Sequence, residues 1–373
     1  EYDEICCAVG STSYGPANAV VSAFGGQIVP NNPYTEKAFF DFDPVSDGDN
    51  SGLSIHIEKN FDNFRFESIT SKRESYNYEV QDIDFDSADT VAPSPISKDL
   101  DAVTQEFRIF SEDNEKFNWL LGAYYYQEDM IFNESVYFGS MWRTYIDAFL
   151  PGALSGVSAA FGIPDSMLFA AGQGTTEVAT QDNITKSIFA QADIQLTNTL
   201  NALVGVSYIE DEKTVSYNQV NTDVFSNIDF VGAGTLALIG AGFPPSQAAV
   251  LATDPNFNPL LPLQALQFLP QFVNYPNAAQ DGTSKDDNID YTFKLSYELN
   301  DFTSIYGGIS TGFKATAWNI SRNSLPDASE TSALAAAGTP VGPNTGLGRR
   351  YADPEESEVL ELGAKIKLPS GYL

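Results

Sequence analysis

The chain has 373 residues, 43% of them hydrophobic and 13% aromatic, a make-up that excludes an intrinsically disordered protein. Fifty acidic against 19 basic residues give a net charge of −31, which excludes nucleic acid as a partner, because phosphate binding needs clustered Lys and Arg. The apolar run at 230–243 is shorter than the roughly 18 residues of a spanning helix, and Cys6 and Cys7, the only cysteines, are adjacent and staple nothing distant.

In chain order, residues 11–51 are rich in Gly, Pro and Asn and read as a loop. A hairpin follows, with strands at 53–59 and 64–71 about a turn at 60–63, and its alternation is weak. Beyond a long stretch at 80–102, a strand at 104–110 meets a turn at 111–116 and a strand starting at Phe117. There Phe117, Trp119, Leu121, Ala123 and Tyr125 share a face, because successive strand side chains point to opposite sides. The stretch 130–184 carries apolar patches at 141–150 and 164–171 that suit helical turns. Strands at 188–196 and 200–208 then pair about 197–199. The stretch 215–288 holds two further helical candidates, 232–253 and 260–273. The clearest hairpin is 289–299 with 302–313, joined by Asn300 and Asp301. In its first strand Ile289, Tyr291, Phe293, Leu295, Tyr297 and Leu299 alternate with polar residues. A stretch at 315–355, with an Ala- and Gly-rich segment at 329–348 that reads as mobile, leads to a last strand at 358–368 and a turn at 369–371.

Short turns on one side and long loops on the other, repeated along the chain, predict an all-β fold, an antiparallel transmembrane β-barrel. Loops beyond about a dozen residues are uncommon in compact soluble domains. The 18 Tyr and 26 Phe suit aromatic girdles at the two membrane interfaces. Roughly ten to twelve strands are expected, in one domain over 1–373. No signal peptide opens the chain, and it reads as a portion of a longer protein.

Catalytic chemistry finds little support. His56 is the only histidine and no nucleophile elbow accompanies it, so a Ser–His–Asp arrangement is not expected. Sites built on clustered His or Cys fail on count, and neither a metal nor a cofactor is expected. The acidic segment 41–50 has closely spaced oxygens but lacks the register and closing Glu of a calcium loop, and reads as a turn. Function is therefore expected on loops and lumen-facing side chains. Of the seven Arg, those in predicted loops stand out as contacts for an anionic ligand: Arg143 beside Trp142, Arg322 near Trp318, and Arg349 with Arg350. The apolar loop segments 149–169 and 260–273 are expected to pack the loops together.

Several segments resemble TonB-dependent receptors, ligand-gated transporters of the Gram-negative outer membrane. They are TQEFRIFS at 104–111, WLLGAYYYQED at 119–129, LVGVSYIEDEK at 203–213, YGGISTGFKATAWNISR at 306–322 and DPEESEVLELGAKIK at 353–367. LQALQFLPQFVNYPNAAQDG at 263–282 is similar to a subgroup. The resemblance implies part of a barrel of about 22 strands, without the plug domain and the final strands of complete members. It also implies uptake of a scarce nutrient, a ferric siderophore or similar chelate. Implied partners are outer-membrane lipid and lipopolysaccharide, the small-molecule ligand, and the TonB energy-coupling complex reached through a more N-terminal part. Two other readings are a passive porin or adhesin barrel and a secreted all-β carbohydrate-binding protein.

Overall fold

The computed structural model describes residues 15–28, 39–84, 86–112, 114, 116–268, 282–320 and 351–367. Eleven strands run in chain order: β1 (Val45–Asn60), β2 (Phe64–Gln81), β3 (Ser94–Ser111), β4 (Phe117–Tyr137), β5 (Gly174–Gln195), β6 (Leu200–Asn221), β7 (Gly282–Asn300), β8 (Thr303–Lys314), β9 (Ala317–Trp318), β10 (Tyr351–Ala352) and β11 (Glu355–Ile366). Nine form one sheet in the order β1-β2-β3-β4-β5-β6-β7-β8-β11, and β9 pairs with β10. Every pairing is antiparallel. The short connections 61–63, 112–116, 196–199 and 301–302 therefore share one end of the sheet. The long ones, 82–93, 138–173, 222–281 and 315–354, share the other. Among the described residues the sheet is open, with β1 and β11 at its edges.

Register decides which side chains share a face. Val204 lies opposite Phe293 and Ala192, Phe293 opposite Ile309, and Ile309 opposite Leu360. The resulting apolar belt runs from Leu53, Ile55 and Ile57 on β1 to Leu360 and Leu362 on β11, and its large side chains are largely exposed. Tyr291 and Phe293 are each 44% exposed, and Leu362 is 88% exposed. Among the described residues no second layer covers it. An apolar face of this size left bare is the signature of a lipid-facing surface. On β7 the belt covers ten residue steps, about 33 Å along the strand, or roughly 25 Å once tilted by the angle usual for barrels. That matches a hydrocarbon layer. The belt is interrupted at β2, where Ser68 and Thr70 face the same way and are satisfied by Gln105 on β3. The opposite face carries Arg108 and Glu106, Asp211 and Lys213, and Lys294, as a water-filled lumen requires.

The strands exceed the sequence expectation at the long-loop end. β5 and β6 have 22 residues each, whereas about 9–11 suffice to cross a membrane. Above the belt both faces are wet, so alternation fades although pairing continues. Both ends of 130–184 and of 215–288 are therefore strand. The loop expected at 11–51 is likewise corrected: α1 (Gly15–Ala23) lies within it and β1 begins at Val45. Asp47 and Asp49, from the calcium-like segment, sit on β1 opposite Tyr78 and Tyr76. The segment 329–348, the turn 369–371 and residues 269–273 lie outside the described residues.

Two long connections fold onto each other. Between β4 and β5 stand α2 (Trp142–Phe149) and α3 (Ala153–Phe161); between β6 and β7 stand α4 (Phe230–Gly240), α5 (Pro245–Leu251) and a 3-10 turn at Leu261–Phe268. Phe138, Trp142, Ile146, Leu154, Val157, Leu168 and Phe169 from the first pack with Phe225, Ile228, Phe230 and Leu261 from the second. The Phe169 and Phe225 rings stack at 4.6 Å. Buried amides replace water for the loop backbone. Gln267 donates to the carbonyls of Phe225, Ser226 and Ile228, and Asn258 to those of Phe230 and Ala252. The packing role expected of 149–169, and of 260–273 as far as it is described, is what the structure shows.

Candidate functional site

The long-loop end holds three arrangements able to meet a ligand. The first is α2. Trp142 is only 8% exposed, stacked between Phe138 at 5.7 Å and Tyr145 at 5.5 Å. Arg143, the next residue round the helix, reaches outward. Its Nε donates to Asp147 at 2.9 Å, and its Nη atoms donate to Asp165 and to the Leu168 carbonyl. The guanidinium thus pins α2 to the turn at Asp165–Met167, while Trp142 anchors the helix below.

The second is the root of the last long connection. Trp318 on β9 donates from Nε1 to Ser284 Oγ at 3.0 Å and packs 5.0 Å from the Tyr351 ring on β10. A Cβ on Gly282 would overlap the Trp318 indole, so a glycine there lets the ring lie flat against β7. Trp318 and the Trp142–Arg143 pair are held by different connections. Arg322, Arg349 and Arg350 lie outside the described residues.

The third is acidic. Asp41, Asp82, Asp84, Asp86 and Asp89 gather where 82–93 passes beneath α1 and α2. Asp84 accepts from Thr90 Oγ1 at 2.5 Å and the Val91 amide at 2.8 Å, and Asp89 accepts from the Ser140 amide. Asp82 is 4% exposed and accepts from the Asp41 amide at 3.3 Å. Burial, with Asp84 and Asp41 beside it, pushes Asp82 up to about 8. Burial followed by repulsion from Asp84 and Asp89 brings Asp41 to about 6. Asp86, raised mainly by burial against the opposing Ala88 amide bond, also reaches about 6.

Sequence reading confined to loop arginines missed the wall itself. Arg73 on β2 and Lys98 on β3 face the lumen side above the belt, and neither has an ion pair among the described residues. By contrast Arg65, Arg108, Lys213 and Lys294 are each held by a carboxylate. The missed signal was parity: Arg73 has the strand parity of Ile69 and Ser71, opposite to that of Phe66.

Residues 9–373 match the family described as TonB dependent receptor-like, beta-barrel. No curated protein matches the chain. Among solved structures it is similar to the ferric yersiniabactin uptake receptor of Yersinia pestis, with a TM-score of 0.53 and 12% identity over 92% of this chain and 36% of that one. It is also similar to the siderophore receptor PiuA of Acinetobacter baumannii, with a TM-score of 0.44 and 11% identity over 87% of this chain and 38% of that one. The chain thus spans little more than a third of either. By the family match, with the sheet, turns and belt in agreement, this chain belongs to the TonB-dependent receptors and is built of their β-barrel.

Proposed function

We propose that the chain forms part of the wall and mouth of an outer-membrane receptor that takes up a scarce nutrient, a ferric siderophore or a similar anionic chelate. Energy comes from a TonB complex contacted through a part of the protein N-terminal to this chain. The observation that carries the reading is the bare apolar belt of membrane height with a polar face behind it, crowned by long loops packed on their own hydrophobic core. Outer-membrane lipid meets the belt, and lipopolysaccharide surrounds the projecting strands. The solved structure named for ferric yersiniabactin uptake supports the substrate class without specifying it.

Ligand contact falls to cations and an indole at the mouth. Arg143, Trp318, Arg322, Arg349 and Arg350 are the candidates from the loops, with Trp142 as the support of Arg143. Arg73 and Lys98 join them from the wall. An anionic chelate gains charge-assisted hydrogen bonds from such groups, worth roughly twice a neutral pair.

The test is uptake of ferric siderophores by cells expressing the whole receptor or lacking it, with and without an uncoupler. The reading expects uptake that needs the receptor and stops when the proton gradient is collapsed. Uptake that survives the uncoupler favours the passive porin. Receptor made as a water-soluble protein without detergent would favour the secreted carbohydrate-binding reading, against which the exposed belt stands.

A further inference from the structure

We infer that His56, Glu58 and Glu67 form a binding site for a first-row divalent cation of the zinc class on the lumen wall. The site lies apart from the mouth and does not depend on which nutrient the receptor carries. His56 and Glu58 are two residues apart on β1 and so share a face, the one opposite Leu53, Ile55 and Ile57. Register sets Glu67 on β2 directly across from Glu58. One ligand atom from each of the three, an imidazole nitrogen and two carboxylate oxygens, lies within 4.8 Å of the other two.

Geometry and charge both favour a cation. Donors bound tetrahedrally to zinc at about 2.0–2.2 Å stand roughly 3.4 Å apart, so a closing of up to about 1.4 Å, shared between two flexible side chains, completes the set. Imidazole with carboxylate is a donor combination suited to zinc, leaving a position for water. Like charges directly opposite on neighbouring strands destabilise the pair. Arg65 offsets one of them, forming an ion pair with a Glu67 oxygen at 3.3 Å while its guanidinium lies 4.4 Å over the Phe110 ring. Held this way, Arg65 orients Glu67, the supporting role usual around such ligands. A divalent cation would neutralise the charge that remains.

The experiment titrates zinc chloride into the whole receptor in detergent by calorimetry, with cobalt(II) absorption as a second readout of nitrogen ligation. One site is expected that weakens at least about tenfold in His56→Ala and in Glu67→Gln. Glu58→Gln, which leaves the Arg65 partner in place, is expected to act likewise, and Glu298→Gln at the short-turn end to change nothing. Heat-modifiable gel migration certifies that each variant has folded. Unchanged zinc affinity in a folded His56→Ala receptor overturns the site, as does binding that survives loss of both glutamates.

Discussion

At Asp82 the folded environment and the unfolded chain disagree about a proton. The carboxyl ordinarily titrates near 3.8 and is raised to about 8 in the folded loop by burial and by its acidic neighbours. Between those values the folded state holds a proton that the unfolded state has released. Stability is therefore fullest below the lower value, falls as pH rises through the window, and levels off above about 8. Asp41 and Asp86 add to the same slope between 3.8 and about 6. Asp82→Asn, neutral at every pH, is expected to raise the resistance of segment 82–93 to proteolysis at about pH 8 and to leave it unchanged at about pH 4. A variant no more resistant at the higher pH would show that the acidic group does not strain this loop. Arg143 offers the converse case. Its bonds to Asp147, Asp165 and the Leu168 carbonyl are charge-assisted, a class worth roughly 1.5–3 kcal/mol each when buried and less where solvent reaches them. Arg143→Ala is expected to speed protease cleavage within 138–173 while the strands below stay protected, as mapped by mass spectrometry of the fragments.

Among the elements, legibility in the sequence tracks the solvent on each face. β7 was plain over 289–299 because one face meets lipid and the other water, so hydropathy alternates with the pleat. Its first residues, from Gly282 upward, alternate in burial but not in hydropathy. The same loss hid the upper halves of β5 and β6 inside apparent loops. α1 escaped because GPANAVVSA is short and flanked by Gly, Pro and Asn. The loop helices were visible as apolar patches, and so was their part in packing the loops together, but which residues meet was not, since Phe169 and Phe225 come from connections separated by the whole β5–β6 hairpin. Of the candidate ligand contacts, sequence named the residue types and missed their partners: nothing local to Arg143 indicates Asp165, and nothing local to Glu58 indicates Glu67. Face identity on β7 is directly testable. Phe293 belongs to the belt and Thr292, opposite Gly205, to the lumen wall. Phe293→Arg is expected to cost about 2–4 kcal/mol of folding stability in lipid, the depth-dependent penalty for a cation among acyl chains. Thr292→Arg should cost a small fraction of that. Equal costs in urea unfolding from liposomes would mean that the two faces do not differ in solvent.

For the whole molecule the decisive feature is the pair of sheet edges. Among the described residues β1 and β11 each pair on one side only, and a row of unpaired amides and carbonyls has no partner in hydrocarbon, where every such group left bare costs several kcal/mol. Belt residues on both strands, Leu53 and Ile55 at one edge, Leu360 and Leu362 at the other, place those rows at membrane depth. An open sheet and a lipid-facing belt are therefore compatible only if each edge is covered by further strands, which closure into a barrel achieves. Hydrogen exchange distinguishes the cases. In the whole receptor, in detergent, the amides of β1 and β11 are expected to exchange as slowly as those of β5, which is paired on both sides. In the 373-residue chain on its own the amides pointing away from β2 and from β8 should exchange faster by orders of magnitude, as unpaired groups do when nothing protects them. Rapid exchange along either strand in the whole receptor would mean that its edge stays open to water, and the belt would then need another explanation than a continuous barrel wall.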